Sequence, residues 1–153
     1  MQVQQFAEIE QEFIERVFRV VWCAVATVDA HNRPRTRVLH PYWEVVDGRP
    51  VGWIATGRHT AKAGHLAQNA HVSLAYVGEV AKPVYVECLA EWQDDAASKQ
   101  HVWDAFKNAA PPMGYDPEPI FKAVDDPDFG ILKLTPWRVE VTNYPHGTYV
   151  WRG

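Results

Sequence analysis

Apolar residues recur at three- and four-residue spacing near the start of the chain: Phe6, Ile9, Phe13, Val17 and Val20, with Glu8, Glu12, Glu15 and Arg16 between them. That spacing predicts an amphipathic helix of about 15 residues lying on an apolar surface. The period then drops to two. Cys23–Val28 (CAVATV) predicts a strand, Asp29-Ala-His-Asn-Arg-Pro34 a turn, and Arg35–Val46 a second strand that Pro41 forces into a bulge or an edge position. Asp47-Gly48 signals a tight hairpin into a third strand, Pro50–Ala55. Thr60 opens a helix over Ala61–Asn69, and His71–Val77 alternates as a fourth strand. In a fifth, Pro83–Trp92, Val84, Val86, Cys88 and Ala90 share one face, opposite Tyr85, Glu87, Leu89 and Glu91. Asp94 or Asp95 caps a long helix, Ala96–Asn108, with Val102, Trp103 and Phe106 on its apolar side. Ala109–Pro119, with four prolines, predicts a surface loop of the kind that serves as a lid. A short helix at Ile120–Val124 leads to a last strand, Gly130–Thr142, and the tail from Tyr144 carries no clear pattern.

Six strands with helices inserted between them predict a single α+β domain spanning residues 1–153, built as a closed antiparallel barrel. A small barrel is filled by its own side chains, so a ligand belongs on its outside or across a dimer interface.

Composition narrows the function. The net charge of −4 argues against general nucleic-acid binding, which needs a broad basic face. No apolar run reaches the length of a membrane span, and the acidic, amphipathic N-terminus is unlike a targeting peptide, so a soluble cytoplasmic protein is expected. Cys23 and Cys88 sit inside apolar strand runs and read as buried thiols. Seven tryptophans are scattered along the chain, most of them core, with a few suited to flank a flat ligand or a subunit contact.

The candidate chemistry centres on Ala55–Leu66 (ATGRHTAKAGHL), where a strand ends, Gly57 breaks it, and a helix starts near Thr60. Arg58, His59 and Lys62 crowd that junction, and Thr56 and Thr60 add hydroxyls. A helix N-terminus offers unpaired N–H groups and partial positive charge, so the stretch reads either as an anion seat or as an ordinary capped turn. Arg35 and Arg37, two apart on a strand, share a face. Arg37 offers a bidentate fork, Lys62 a point charge and Thr60 a hydroxyl, and together they favour a phosphate site.

Three motifs in order resemble the pyridoxamine 5′-phosphate oxidase-like split-barrel family. They are the hairpin AVATVDAHNRPRTRVLH (Ala24–His40), the junction with Ala55-Thr56 and Thr60-Ala61-Lys62, and HLAQNAHVSLAYV (His65–Val77). The resemblance covers about residues 20–142 and implies a six-stranded antiparallel split barrel with flanking helices and a cofactor at a homodimer interface. It implies FMN with its phosphate at Arg37, Thr60 and Lys62, and its ring along Val38, Leu39, His40, Ala55 and Thr56. The wider basic set of Arg35, Arg37, Arg58, His59 and Lys62 equally suits the longer anionic tail of the deazaflavin coenzyme that other members bind. Haem is a third option, since other members bind it and one axial histidine among His31, His40, His59, His65 and His71 suffices. Tyr42, Trp43 and Trp137 are expected at the substrate wall. Ala61 stands where the family's phosphate clip has arginine, and Thr142 is followed by NYPHGTYVWRG in place of a basic C-terminal segment. The resemblance therefore does not extend to a vitamin B6 phosphate substrate.

No nucleophile–base pair or carboxylate dyad stands out, which fits a redox reaction whose chemistry a cofactor carries. A non-catalytic flavin or haem carrier is the competing class. A metal hydrolase lacks support, because the chain has no HExxH or CxxC spacing.

Overall fold

The computed structural model describes residues 1–153. Its strands begin with Cys23–Val28 (β1), where Cys23, Val25 and Thr27 point inward and are buried. The segment predicted as one strand over Arg35–Val46 is two, Pro34–Leu39 (β2) and Tyr42–Val46 (β3), divided at His40-Pro41. Proline has no N–H to give a ladder, and here it lets the chain change neighbours: β2 pairs with β1, whereas β3 pairs with Arg49–Gly57 (β4). The β3–β4 turn is the expected Asp47-Gly48, with φ of 51° and 73°.

His71–Tyr76 (β5), Val84–Trp92 (β6), the 15-residue strand Phe129–Asn143 (β7) and Gly147–Arg152 (β8) complete the sheet. The barrel class holds, but with eight strands in place of six. The extra two come from the break at Pro41 and from the tail, where β8 pairs with the second half of β7. The order is β2-β1-β5-β6-β7-β4-β3, all antiparallel. The two edge strands, β2 and β3, are joined by only His40 and Pro41, so the sheet curls round to bring its edges together without a ladder between them. That seam is the split in the barrel.

Phe13, Trp43, Leu74, Tyr76, Val86, Cys88 and Leu134 fill the interior. The helix Glu10–Val20 (α1) closes one end with Phe13 and Val17, after a separate 3₁₀ turn over Phe6–Glu8. Arg16, nominally on its polar face, is 4% exposed and donates to the Lys82 and Thr142 carbonyls at 3.2 and 2.6 Å, which ties α1 to the sheet. The helix Ala61–Gln68 (α2) lies against β1. A second apolar cluster sits outside the barrel, where Ala96–Asn108 (α3), the following segment and the short helix Glu118–Phe121 (α4) cover β4 and β7 through Trp103, Phe106, Met113, Phe121 and Phe129. No helix is long and apolar enough to cross a membrane.

Candidate functional site

At the start of α2, Thr60 takes the N-cap backbone conformation, with φ −120° and ψ 168°, yet its side chain does not cap the helix. The Thr60 hydroxyl donates back to the Gly57 carbonyl at 3.3 Å and accepts from the Lys62 ammonium at 2.7 Å. Lys62 is only 8% exposed, and Thr60 is its one hydrogen-bond partner. Burial pushes its pKa down first, and the neighbouring Arg37 charge adds to this, while Asp128 opposes both from beyond ion-pair distance.

Arg37 approaches from β2. Register sets it opposite Val25, on the inward side of the sheet at the open seam. Its Nη1 donates to the Val25 carbonyl at 3.2 Å, the Thr27 hydroxyl at 2.8 Å and the Arg35 carbonyl at 2.9 Å. Its Nε and Nη2 have no protein partner and are not buried. Burial, then the Arg35 charge, lowers its pKa. Two partly desolvated cations thus stand near enough for one charge to lower the other's pKa, with no carboxylate bonded to either, an arrangement that an anion relieves.

Next to this pair lies a cleft of about 610 Å³. Its strand wall is Leu39, His40, Ala55, Thr56 and Gly57, so four expected cofactor residues meet there. Gly57 joins cleft to cations through its bond from Thr60. The facing wall comes from the proline-rich segment and α4: Pro112, Tyr115, Ile120 and Phe121. That segment is more than a surface loop, since Met113 is 1% exposed and its sulfur lies 3.2 Å from His40 Nε2. Burial holds the His40 pKa below its ordinary value, against an opposing contribution from Met113, and pushes the Tyr115 phenol up to about 12. Both rings are therefore neutral at pH 7, which leaves Asp128 as the one charged side chain of the lining.

Other expected residues lie elsewhere. Val38 is 61% exposed on the opposite face of β2, so only its backbone is near the cleft. Arg35 faces Asp29 at 3.6 Å. Arg58 is gripped by Asp94 at 3.0 and 3.3 Å and lies over the Trp92 ring at 4.4 Å. His59 is exposed beside Asp128. Trp43 corrects the expectation of a substrate wall: it is 1% exposed in the barrel interior, where its indole donates to the Tyr76 hydroxyl at 2.8 Å. Adjacent strand residues point to opposite faces, so Tyr42 and Trp43 cannot line one pocket. Tyr42 instead lines a separate groove with Glu44 and His101. Trp137 lies on the outer face of the sheet, in a hollow with His71 and Glu87. No group of three His, Cys, Asp or Glu side chains is disposed to hold a metal ion.

Thr27 is not anticipated from the sequence, and His65 enters there only as a candidate haem ligand. Thr27 is 2% exposed and bonded to both Arg37 and, at 2.9 Å, His65 Nδ1. A lone hydroxyl among the inward residues of CAVATV, and a histidine one helical turn after Lys62, were the available signals.

Comparison with curated proteins gave no match. Among solved structures, a Clostridium acetobutylicum protein related to general stress protein 26 of B. subtilis (pyridoxinephosphate oxidase family) aligns with a TM-score of 0.73 at 19% identity, covering 95% of this chain and 94% of that one. A putative pyridoxamine 5′-phosphate oxidase from Listeria innocua gives 0.67 at 17%, covering 88% and 98%. A pyridoxamine 5′-phosphate oxidase-related, FMN-binding protein from Nostoc punctiforme gives 0.58 at 16%, covering 91% and 84%. At these identities the structural likeness speaks to the fold. The sequence itself matches the pyridoxamine 5′-phosphate oxidase family model over residues 9–143. With that match running nearly end to end, the chain belongs to the pyridoxamine 5′-phosphate oxidase family.

Proposed function

We propose that this protein is an FMN-dependent oxidoreductase acting on a small, flat, uncharged molecule. The observation that carries the reading is the Arg37–Lys62 pair, two cations with free donors and no carboxylate bonded to either, near an apolar cleft. The donor set fits a phosphate monoester, with Arg37 Nε and Nη2, the Lys62 ammonium and the uncapped start of α2 to hold it. Leu39, His40, Ala55 and Thr56 would then hold the ring. Bound FMN supplies two-electron redox chemistry, and the chain's residues bind it, orient it and keep water from the apolar wall.

One further observation favours FMN over the deazaflavin coenzyme. Of the wider basic set, Arg35, Arg58 and His59 already face Asp29, Asp94 and Asp128. What remains without a facing carboxylate is the Arg37–Lys62 pair, matched to one phosphate and not to an extended anionic tail. The cleft lining adds no further cation, so a phosphorylated substrate has no second seat there. That supports an uncharged substrate over a vitamin B6 ester.

A homodimer belongs to the same reading. Register places Val38, Ala24, Ala75 and Tyr85 in one row across the outer face of β2, β1, β5 and β6, and Leu89 and Trp137 lie exposed on that face too. Large apolar groups around small ones suit a second copy of the chain. The unpaired buried thiols Cys23 and Cys88 support a cytoplasmic location.

Titration of the purified protein with FMN, the deazaflavin coenzyme and haem, followed by tryptophan quenching and visible absorption, tests the reading. Tight binding of FMN alone is expected. Preference for the deazaflavin would replace the cofactor assignment, a Soret band on adding haem would replace the class, and no response to any would remove the enzyme claim.

A further inference from the structure

We infer that Thr27 and His65 are positioning residues that set the distance between the two anion-binding cations. The inference rests on the phosphate-site reading above. Arg37 stands on an edge strand and Lys62 on a helix, and the two elements share no backbone hydrogen bond. What connects them is a chain of side-chain hydrogen bonds. A guanidinium only donates, so the Thr27 oxygen accepts from Arg37 Nη1 at 2.8 Å. The Thr27 hydroxyl also hydrogen-bonds His65 Nδ1, 2.9 Å away. His65 stands three residues after Lys62, on the same face of α2. The path Arg37–Thr27–His65 therefore links the strand cation to the helix that carries the other one.

Burial gives the link its leverage. Thr27 is 2% exposed, so no bulk water replaces its hydroxyl if it is removed. The bond also holds Arg37 by Nη1 and leaves Nε and Nη2 facing outward as a fork. Without Thr27, two backbone carbonyls still accept from Nη1, but nothing ties the guanidinium to α2. The charges would remain while their spacing relaxed, and a bidentate site loses affinity when its spacing relaxes.

The test compares FMN with riboflavin, which carries the same ring without the phosphate. Both are titrated by fluorescence into the parent, Thr27→Ser, Thr27→Val, His65→Leu and the Thr27→Val/His65→Leu double variant, each checked for folding by its melting curve. Thr27→Val and His65→Leu are each expected to weaken FMN about tenfold, the size of one buried hydrogen bond, while riboflavin stays at its parental affinity. Thr27→Ser, which keeps the hydroxyl, is expected to restore parental FMN affinity, and the double variant to bind no more weakly than the worse single one. A packing role alone would move FMN and riboflavin together. If the parent prefers FMN and Thr27→Val and His65→Leu prefer it equally, the positioning role is wrong and the phosphate site stands. A parent that does not distinguish the two ligands removes the phosphate site, and this inference with it. Should Thr27→Val fail to fold, His65→Leu and Thr27→Ser decide the matter on the same two ligands.

Discussion

His40 Nε2 lies 3.2 Å from the sulfur of Met113, so the end of β2 is tied directly to the proline-rich segment that walls the cleft. The His40 ring also meets Trp22, Phe106 and Tyr115, with centroids 5.0 to 5.2 Å away. This apolar company disfavours the imidazolium and holds the His40 pKa below its ordinary value of about 6.5. The folded protein therefore binds fewer protons here than the unfolded chain does as pH falls below that value. The His40 contribution to stability is fully present at pH 7 and declines as pH drops through the unfolded pKa toward the folded one. Urea melts of the parent and His40→Gln at pH 7.0 and 5.5 should show the parent losing more stability than the variant. An equal loss in both would mean that His40 is not held neutral by its surroundings.

Across the β3–β4 ladder the Trp43 indole covers Gly52, where an added Cβ would stand 2.7 Å from Cζ3. Trp43 is packed on its other side by Phe13, at a centroid distance of 5.3 Å, so it has little room to retreat. Gly52→Ala is expected to destabilise the fold by about 1–3 kcal/mol, as overpacking of a filled interior does. A denaturation midpoint equal to the parent's would show that the barrel interior yields there.

Arg58 separates the two coenzyme readings. Because Asp94 and Trp92 already hold its guanidinium, Arg58→Ala should leave FMN affinity within about twofold of the parent, the effect of an exposed ion pair. A large loss of FMN binding would bring Arg58 into the phosphate site and reopen the case for a longer anionic ligand.

The uncovered sheet face carries the dimer expectation. Val38→Glu places a charge among Ala24, Ala75 and Tyr85 without touching the cleft-facing side of β2. Light scattering should give a dimer for the parent and a monomer for the variant. A monomeric parent would overturn the homodimer.

Much of this architecture is legible in the residues. Asp47-Gly48 marks its turn, and alternation in Val84–Trp92 gives the right buried face. Arg37 and Lys62, far apart in sequence, come near enough for the Arg37 charge to lower the Lys62 pKa. What alternation also contained, and the expectation missed, is that Trp43 faces opposite Tyr42 and Glu44 and so points into the barrel. Pro41 was legible as a disturbance but not as a change of partner, because one strand's neighbours are chosen by the whole sheet. The tail GTYVWR acquires its strand only from an edge that β7 leaves vacant beyond β4. Thr27 and His65 matter only through contacts across 38 positions of chain, which no local pattern reports.

The most direct measurement is the affinity of the parent, Arg37→Met and Lys62→Met for FMN and for riboflavin under the same conditions. The expected result is a parent that binds FMN about 100-fold more tightly than riboflavin, with each variant losing about tenfold for FMN and nothing for riboflavin. Equal affinity of the parent for the two ligands, or FMN binding untouched by both substitutions, would contradict a phosphate seat at Arg37 and Lys62.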